Sequence, residues 1–182
     1  MKPHGAPRQI LNPVALASAA TVWCAAIVAP PLMHASGYHA FAVFLRALFA
    51  PLCHQIAARS FLIGGEPLSV CARCTGIYAG FLLGSLGLLA LALARRGREV
   101  VPQRAPSGAL LALAAVPSAL ELIAEMSGMH VASGASRALA GSMFGAVSVL
   151  YVLPAIEEFP AELIGEMRRM RRFVRRPHAG TG

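Results

Sequence analysis

The sequence predicts an all-α, polytopic membrane protein, a transmembrane helix bundle of about four spans. The first observation is composition, because 57% of the 182 residues are hydrophobic and only 13% are charged, about half the charged share of an ordinary soluble domain. The second is that apolar residues occur in separate runs of about 20, the length that crosses a bilayer. The third is that basic residues cluster between and beyond these runs. We therefore do not expect a soluble enzyme.

The first apolar run extends from about Pro13 to Met33 and contains no charged residue. A basic N-terminus precedes the run, so a cleaved signal peptide is an alternative to a membrane span. The run is longer than the apolar core of a usual signal peptide, and Pro30-Pro31 stands where small residues would mark a cleavage site. We expect a retained span, preceded by a short cytoplasmic segment at residues 1–12.

A shorter apolar segment extends from Tyr38 to Leu52 and is interrupted by Arg46. Its apolar residues recur every three or four positions, which predicts a helix with one apolar face. The segment is too short to cross comfortably, so we expect a helix at the membrane interface or packed against the bundle. It belongs to an outer loop, residues 35–75, that also contains three of the four cysteines.

Three further apolar runs predict the remaining spans of a bundle that occupies residues 13–158. They extend from about Gly76 to Ala94, from Gly108 to Met126 and from Ala138 to Ile156. Glycines recur mostly every four residues in the first of these runs, and Gly141 and Gly145 repeat that spacing in the last. Small residues at this spacing let helix backbones approach closely. These faces predict helix packing, either within one chain, in a homo-oligomer or with another membrane protein as partner.

The net charge of +8 is a topology signal, because most basic residues lie in three groups. Twelve of the 16 Lys and Arg residues lie at the N-terminus, between Arg95 and Arg104, and between Arg168 and Arg176. Basic residues accumulate on the cytoplasmic side of membrane proteins. With four spans, both termini and the basic tail, residues 159–182, are cytoplasmic. We expect a bacterial inner-membrane protein with the lipid bilayer as its partner, and no nucleic acid.

The stretch from Pro51 to Gly80 carries the candidate chemistry. Cys53 is followed directly by His54, and a C-x-x-C pair, Cys71 and Cys74, precedes the second span. Such a pair brings two sulfur atoms close together, and the Cys-His dipeptide adds a third sulfur and an imidazole. Three thiolates and one imidazole form a complete tetrahedral set for zinc, although copper(I) and iron accept the same donors. The sequence predicts a Cys3His site at the outer membrane face, with zinc as the first candidate.

Two other uses of the same cysteines remain open. In a membrane thiol–disulfide oxidoreductase, Cys71 and Cys74 would cycle between dithiol and disulfide, Cys53 would be their partner, and a quinone would be the cofactor. An oxidising periplasm and a position at a helix N-terminus favour this interpretation. In the third interpretation, a disulfide among these cysteines only staples the loop. The residues leave open whether the protein is an enzyme.

Polar residues near the cysteines are candidates to hydrogen-bond and orient the metal ligands. They are Gln55, Arg59, Ser60, Arg73, Thr75 and Tyr78, together with Glu121 and Arg137 from later in the chain. Glu121 lies at membrane depth, where an ionisable side chain needs a partner or water. It shares a helix face with Glu125, and both point toward the mouth of the bundle, where Arg59, Arg73 and Arg137 could neutralise them. We interpret Glu125 itself as an interfacial residue. His34, His39 and His130 lie near span ends and are also interpreted as interfacial.

Three motifs of this chain resemble those of a family of small prokaryotic polytopic membrane proteins, known as a domain of unknown function. The motifs are C-H-Q at Cys53–Gln55, R-S-F at Arg59–Phe61 and C-A-R-C-T-G-I-Y-A-G at Cys71–Gly80. The resemblance extends over about Leu48 to Pro154. It implies the same architecture, an acidic residue in the third span, here Glu121, and an R-x-x-x-G motif, here Arg137 to Gly141. It implies no reaction.

Overall fold

A computed structural model describes the backbone of residues 6–95, 105–129 and 131–174, and the side chains of residues 12–95, 105–129 and 131–156. The basic groups predicted at the N-terminus, in the tail and between Arg96 and Arg104 lie outside the described side chains, as does His130. The predicted helical tail is described for its backbone alone, which is helical to Val174.

The described chain contains five α-helices and one small hairpin. In chain order, these are α1 (Ala6–Ala35), α2 (His39–Phe49), a 3-10 turn (Ala57–Arg59), β1 (Leu62–Ile63), β2 (Glu66–Pro67), α3 (Ala72–Ala94), α4 (Gly108–Met126) and α5 (Gly134–Val174). Four of the helices contain stretches that are long and apolar enough to cross a membrane. They are Asn12–Ala35, Ala72–Ala94, Gly108–Met126 and Gly134–Ile156. The predicted four-span helix bundle is confirmed.

The α2 helix is the short apolar helix that the sequence predicted in the outer loop. Its 11 residues give a length of about 16 Å, roughly half the thickness of a bilayer core. Ala42 and Phe49 are buried, while Phe41, Phe44 and Leu48 are exposed. The helix therefore packs one face against the bundle and presents a second apolar face to the surroundings, as an interfacial helix does.

Helices α3 and α5 form the centre of the bundle, with α1 against α3 and α4 against α5. Their backbones touch because glycines line both sides of the contact. A Cβ atom added to Gly80 would overlap the backbone of Ser142, and one added to Gly145 would overlap the carbonyl of Ile77. In contrast, Gly87 has open space around it. The predicted small-residue faces therefore pack against each other within one chain. This packing covers most of the glycines that we also considered for contacts in a homo-oligomer.

The outer loop contains a β-hairpin that the sequence analysis did not predict. Its two-residue strands pair Leu62 with Pro67 and Ile63 with Glu66. The Gly64-Gly65 turn between them has φ values of +60° and +86°, which a mirror-image hairpin turn requires and glycine adopts without strain. The Gly-Gly dipeptide was the available signal, but strands of two residues leave no alternating pattern to detect.

A buried apolar cluster lies beneath the outer loop. It contains Ile27, Phe49, Cys53, Leu68 and Val70, all at most 6% exposed. The backbone N–H of Ser69 also donates a hydrogen bond to the carbonyl of Ile27 over 3.3 Å. The loop is therefore held against α1, and one of its cysteines forms part of the core.

We expect Gly80→Ala to destabilise the protein and Gly87→Ala, on the same helix, to be tolerated. The new methyl at position 80 meets the backbone of Ser142, which cannot move aside as a flexible side chain can, and overpacking of this kind costs about 1–3 kcal/mol. Both substitutions gain about 1 kcal/mol of helix propensity, so Gly87→Ala controls for that term. Thermal denaturation in detergent, followed by size-exclusion chromatography, measures the difference. Equal stability of the two variants would contradict the packing described.

Candidate functional site

Three of the four cysteines meet at one end of the bundle. The sulfur atoms of Cys53, Cys71 and Cys74 all lie within 4.8 Å of one another. Cys53 is buried, and the other two are half-buried. All four cysteines are free thiols, and Cys24 lies apart, donating a hydrogen bond from its thiol to the carbonyl of Tyr78. The structure thus brings together the three sulfur atoms that the sequence singled out.

The local fold accounts for the position of each thiol. Cys53 follows α2 directly, and its backbone N–H still donates to the carbonyl of Phe49 over 3.0 Å. Cys71 is the N-cap residue of α3 and Cys74 lies in the first turn, so the C-x-x-C spacing places both sulfur atoms on one side of the helix start. The backbone N–H of Cys71 donates to the sulfur of Cys53 over 3.2 Å. This bond joins the two segments.

Gln55 holds the loop that follows Cys53 in place. Its φ of +51° lies in the left-handed region, which costs a non-glycine residue about 1–2 kcal/mol. Its side-chain Nε2 donates to the carbonyl of Arg46 over 2.7 Å and to that of Ser69 over 2.9 Å. Both acceptors are carbonyls, so only the amide nitrogen can make these bonds. Gln55 therefore connects the end of α2 to the segment that leads into Cys71.

The surroundings of Cys71 lower the pKa of its thiol. The hydrogen bond from the Cys74 thiol is the largest cause, and with backbone N–H groups at the start of α3 it lowers the pKa of Cys71 from 9.0 to about 5, against the opposing effect of burial. Low thiol pKa values at helix N-termini accompany both metal binding and nucleophilic reactivity. The lowered pKa of Cys71 is therefore consistent with metal binding and with nucleophilic attack in thiol–disulfide exchange.

His54 lies outside the group of three sulfur atoms. Its side chain is exposed, although it lines the same pocket as the cysteines. The sequence predicted His54 as the fourth ligand because it adjoins Cys53. The backbone turns after Cys53 toward the left-handed conformation of Gln55. The role of His54 as the fourth ligand of a metal site therefore stays a prediction.

Beside the thiols, a network of ion pairs joins three spans. Arg73 Nη2 at the start of α3 lies 3.3 Å from Glu121 Oε2 and 3.5 Å from Glu125 Oε2 of α4. Arg137 of α5 also pairs with Glu125. All four side chains are at most 22% exposed, and two positive charges balance two negative ones. At membrane depth such compensation removes the cost of isolated charges.

Glu125 is more buried than the sequence analysis suggested. Its carboxylate contacts two of the arginines expected to neutralise it, Arg73 and Arg137. Its side chain is only 9% exposed, whereas we expected an interfacial residue. Glu121 and Arg137 were predicted to belong to the site, and the same network contains both of them. The burial of Glu125 depends on how three helices pack, which the sequence does not show.

A single pocket connects the thiols with the ion-pair network. Its volume is about 230 Å³, and it opens to the exterior. The lining residues are Leu52, Cys53, His54, Gln55, Ile56, Arg59, Cys71, Arg73, Cys74, Glu125 and Arg137. Eight of these lining residues, Cys53 among them, were predicted for the site from the sequence. A ligand in the pocket would reach both the sulfur atoms and the charged groups.

The remaining predicted residues have local roles in the described structure. The hydroxyls of Ser60 and Thr75 donate to the carbonyls of Ile56 and Cys71, each four residues earlier. The Tyr78 ring packs against Trp23 at a centroid distance of 5.8 Å. Ser69, which the sequence analysis did not name, is fully buried and accepts the Gln55 bond through its carbonyl. Every residue has a backbone carbonyl, so the residue type at position 69 does not predict this contact.

Comparison with known proteins agrees with this architecture. Residues 53–151, from the first cysteine of the cluster into the fourth span, match the DUF2085 family, described as a predicted membrane protein. An uncharacterized protein of the archaeon Methanocaldococcus jannaschii is 30% identical over 116 residues, which cover 64% of this chain and 70% of that protein. No solved structure matches the chain significantly. The chain belongs to the DUF2085 family of predicted multi-pass membrane proteins.

Proposed function

We propose that this membrane protein binds one transition-metal ion through Cys53, Cys71 and Cys74, with zinc as the first candidate. The observation that carries the proposal is the mutual distance of the three sulfur atoms, all within 4.8 Å. Zn–S bonds of about 2.3 Å in a tetrahedron place sulfur atoms roughly 3.8 Å apart. Small side-chain rotations would complete such a geometry.

The surroundings of the thiols support a metal thiolate centre. The Cys71 N–H bond to the Cys53 sulfur is the kind of contact that orients and stabilises a metal-bound thiolate. The anchor that Gln55 provides limits the motion of the Cys53 segment relative to Cys71. Four ligands are usual for zinc. We propose His54 as the fourth, since it follows Cys53 directly and lines the same pocket.

The proposed role is structural or metal handling, and no reaction is assigned. Such an ion would tie the outer loop to the start of α3, because Cys53 comes from the loop and the other two ligands from the helix. The pocket leads from the exterior to the sulfur atoms, so an ion could enter and leave without unfolding of the bundle.

Metal analysis of the purified protein tests the proposal. We expect about one zinc or other transition-metal ion per chain in detergent, measured by inductively coupled plasma mass spectrometry. Cys71→Ser combined with Cys74→Ser should lose the ion, because one sulfur cannot hold it alone. His54→Ala should retain the ion with lower affinity, since water can replace one ligand.

Cys24→Ser is the matched control for these variants, because Cys24 is a half-buried thiol outside the cluster. It should leave the metal content unchanged. Protein free of metal when purified without chelators, or metal that survives loss of the C-x-x-C pair, would overturn the proposal.

The alternative is thiol–disulfide exchange, which the low pKa of Cys71 favours. In such a reaction the Cys71 thiolate and the Cys74 thiol lose two electrons and one proton to form a disulfide. A quinone takes up the two electrons, that proton and a second proton from water to become a quinol. The proximity of the two sulfur atoms makes the disulfide accessible. Cys53 would then be a third thiol able to exchange with the pair.

Cys71→Ser separates the two functions. Under disulfide exchange, the variant should lose turnover with a short-chain quinone while its abundance and melting temperature stay unchanged. Under metal binding, the same variant should be less abundant or less stable, because the loop loses its tie to α3. Alkylation of the thiols before and after reduction, followed by mass spectrometry, reports whether the wild-type pair is oxidised.

We also propose an orientation with both termini cytoplasmic and the thiol cluster outside. The end of α1, the start of α3, the end of α4 and the start of α5 meet on one side of the bundle, through the bonds of Ser69, Arg73 and Arg137 described above. The predicted basic groups belong to the opposite ends, which supports an outward cluster by the distribution of positive charge.

Reporter fusions test this orientation. A phosphatase that is active only outside the cytoplasm should be active when inserted near Glu66 and inactive when fused after Arg98. A fluorescent protein that matures only in the cytoplasm should give the reverse pattern. The same result at both positions would contradict the four-span topology.

A further inference from the structure

A second cluster of metal-ligating side chains lies at the outer ends of α1 and α2, apart from the thiols. The imidazole rings of His34 and His39 are in edge-to-face contact with centroids 4.3 Å apart. His34 Nδ1 lies 3.6 Å from Glu66 Oε1. We refer to His34, His39 and Glu66 as the outer histidine cluster.

The turn between α1 and α2 brings the two histidines together. α1 ends in a Schellman motif, in which the N–H of Tyr38 donates to the carbonyl of Met33 over 2.9 Å and that of Gly37 to His34 over 3.1 Å. Gly37 has a φ of +85°, as this motif requires. His34 lies in the last turn of α1 and His39 is the first residue of α2. The reversal places their side chains next to each other.

The third member comes from the β-hairpin. Glu66 is the first residue of β2 and pairs with Ile63. The hairpin is held to α1 by the Ser69–Ile27 hydrogen bond and closed by a bond from the N–H of Leu68 to the carbonyl of Phe61 over 2.9 Å. Three separate elements therefore present three ligand side chains to one location.

We propose that His34, His39 and Glu66 form a second site, for a divalent ion of borderline hardness such as Zn²⁺. Two imidazoles and one carboxylate are a recognised zinc ligand set with room for water. Bonds of about 2.0–2.1 Å place two ligand atoms of a tetrahedral ion roughly 3.3 Å apart, close to the observed separation of His34 Nδ1 and Glu66 Oε1.

The His39 ring has to turn to complete the set. His34 Nδ1 already lies 3.6 Å from Glu66 Oε1, so His39 is the ligand that has to be brought in. Rotation about χ2 of a histidine meets only a broad, shallow barrier, and the centroid of the His39 ring is 4.3 Å from that of His34. The His34 and Glu66 side chains are 44% and 42% exposed, which leaves space for water ligands.

The two sites differ in the ions they favour and in exchange with solution. Thiolates hold soft ions tightly, whereas nitrogen and oxygen donors suit harder divalent ions. The greater exposure of the outer histidine cluster predicts weaker binding and easier exchange. This inference does not rest on the function proposed for the thiols, because the two clusters share no residue.

Zinc titration of a variant without the thiol site tests the inference. In the combined variant Cys53→Ser, Cys71→Ser and Cys74→Ser, isothermal calorimetry should show about one weakly bound Zn²⁺ per chain. Adding His34→Ala and His39→Ala should abolish this binding, and adding Glu66→Gln should weaken it. Adding Ser36→Ala, an exposed residue of the same turn that belongs to neither proposed site, should leave it unchanged.

A second measurement needs no change to the cysteines. In the otherwise wild-type chain, removal of His34 and His39 should lower the zinc bound at saturation by about one ion per chain, whatever the thiol cluster holds. Zinc binding that is unchanged by loss of both histidines, in either background, would overturn the assignment. A loss that Ser36→Ala reproduces would overturn it as well.

Discussion

The backbone contact between α3 and α5 is the interaction on which the rest of the structure depends. Lipid gives two helices no hydrophobic reason to associate, so close van der Waals packing between small residues has to hold them together. The contact also sets the register at the outer end, where the backbone of Arg73 lies against Gly141. That register brings Arg73 and Arg137 to the same side of the bundle. The position of the charged network thus follows from where the glycines lie.

The ion-pair network in turn fixes α4, which has little apolar packing of its own. Ala114 is the one buried residue of this helix in the described structure. The contacts of Glu121 and Glu125 with arginines of α3 and α5 fix the position of α4. Apolar burial alone does not fix this position. A buried ion pair adds little net stability compared with apolar packing, but an unpaired charge at this depth is very costly. The network therefore selects one arrangement of the helices rather than strengthening the bundle.

Two kinds of donor atoms gather at the same end of the molecule for different physical reasons. The thiols come together through short-range features, namely a C-x-x-C turn and a loop that the Gln55 side chain anchors. The outer histidines come together because a Schellman turn reverses the chain between two helices. The pocket beside the thiols reaches the charged network, so one opening gives access to the sulfur atoms and to the ion pairs.

The sequence by itself determined the four spans, the short α2 helix and the three thiols, because run length and local spacing are properties of consecutive residues. It predicted Glu121 and Arg137 from their unusual polarity within or beside a span. Only the tertiary structure decided that Glu125 is buried between its arginines, that His54 lies apart from the sulfur atoms and that His34 meets His39. Those relations depend on how separate helices and turns pack, and neither residue type nor periodicity records a partner that lies far away along the chain.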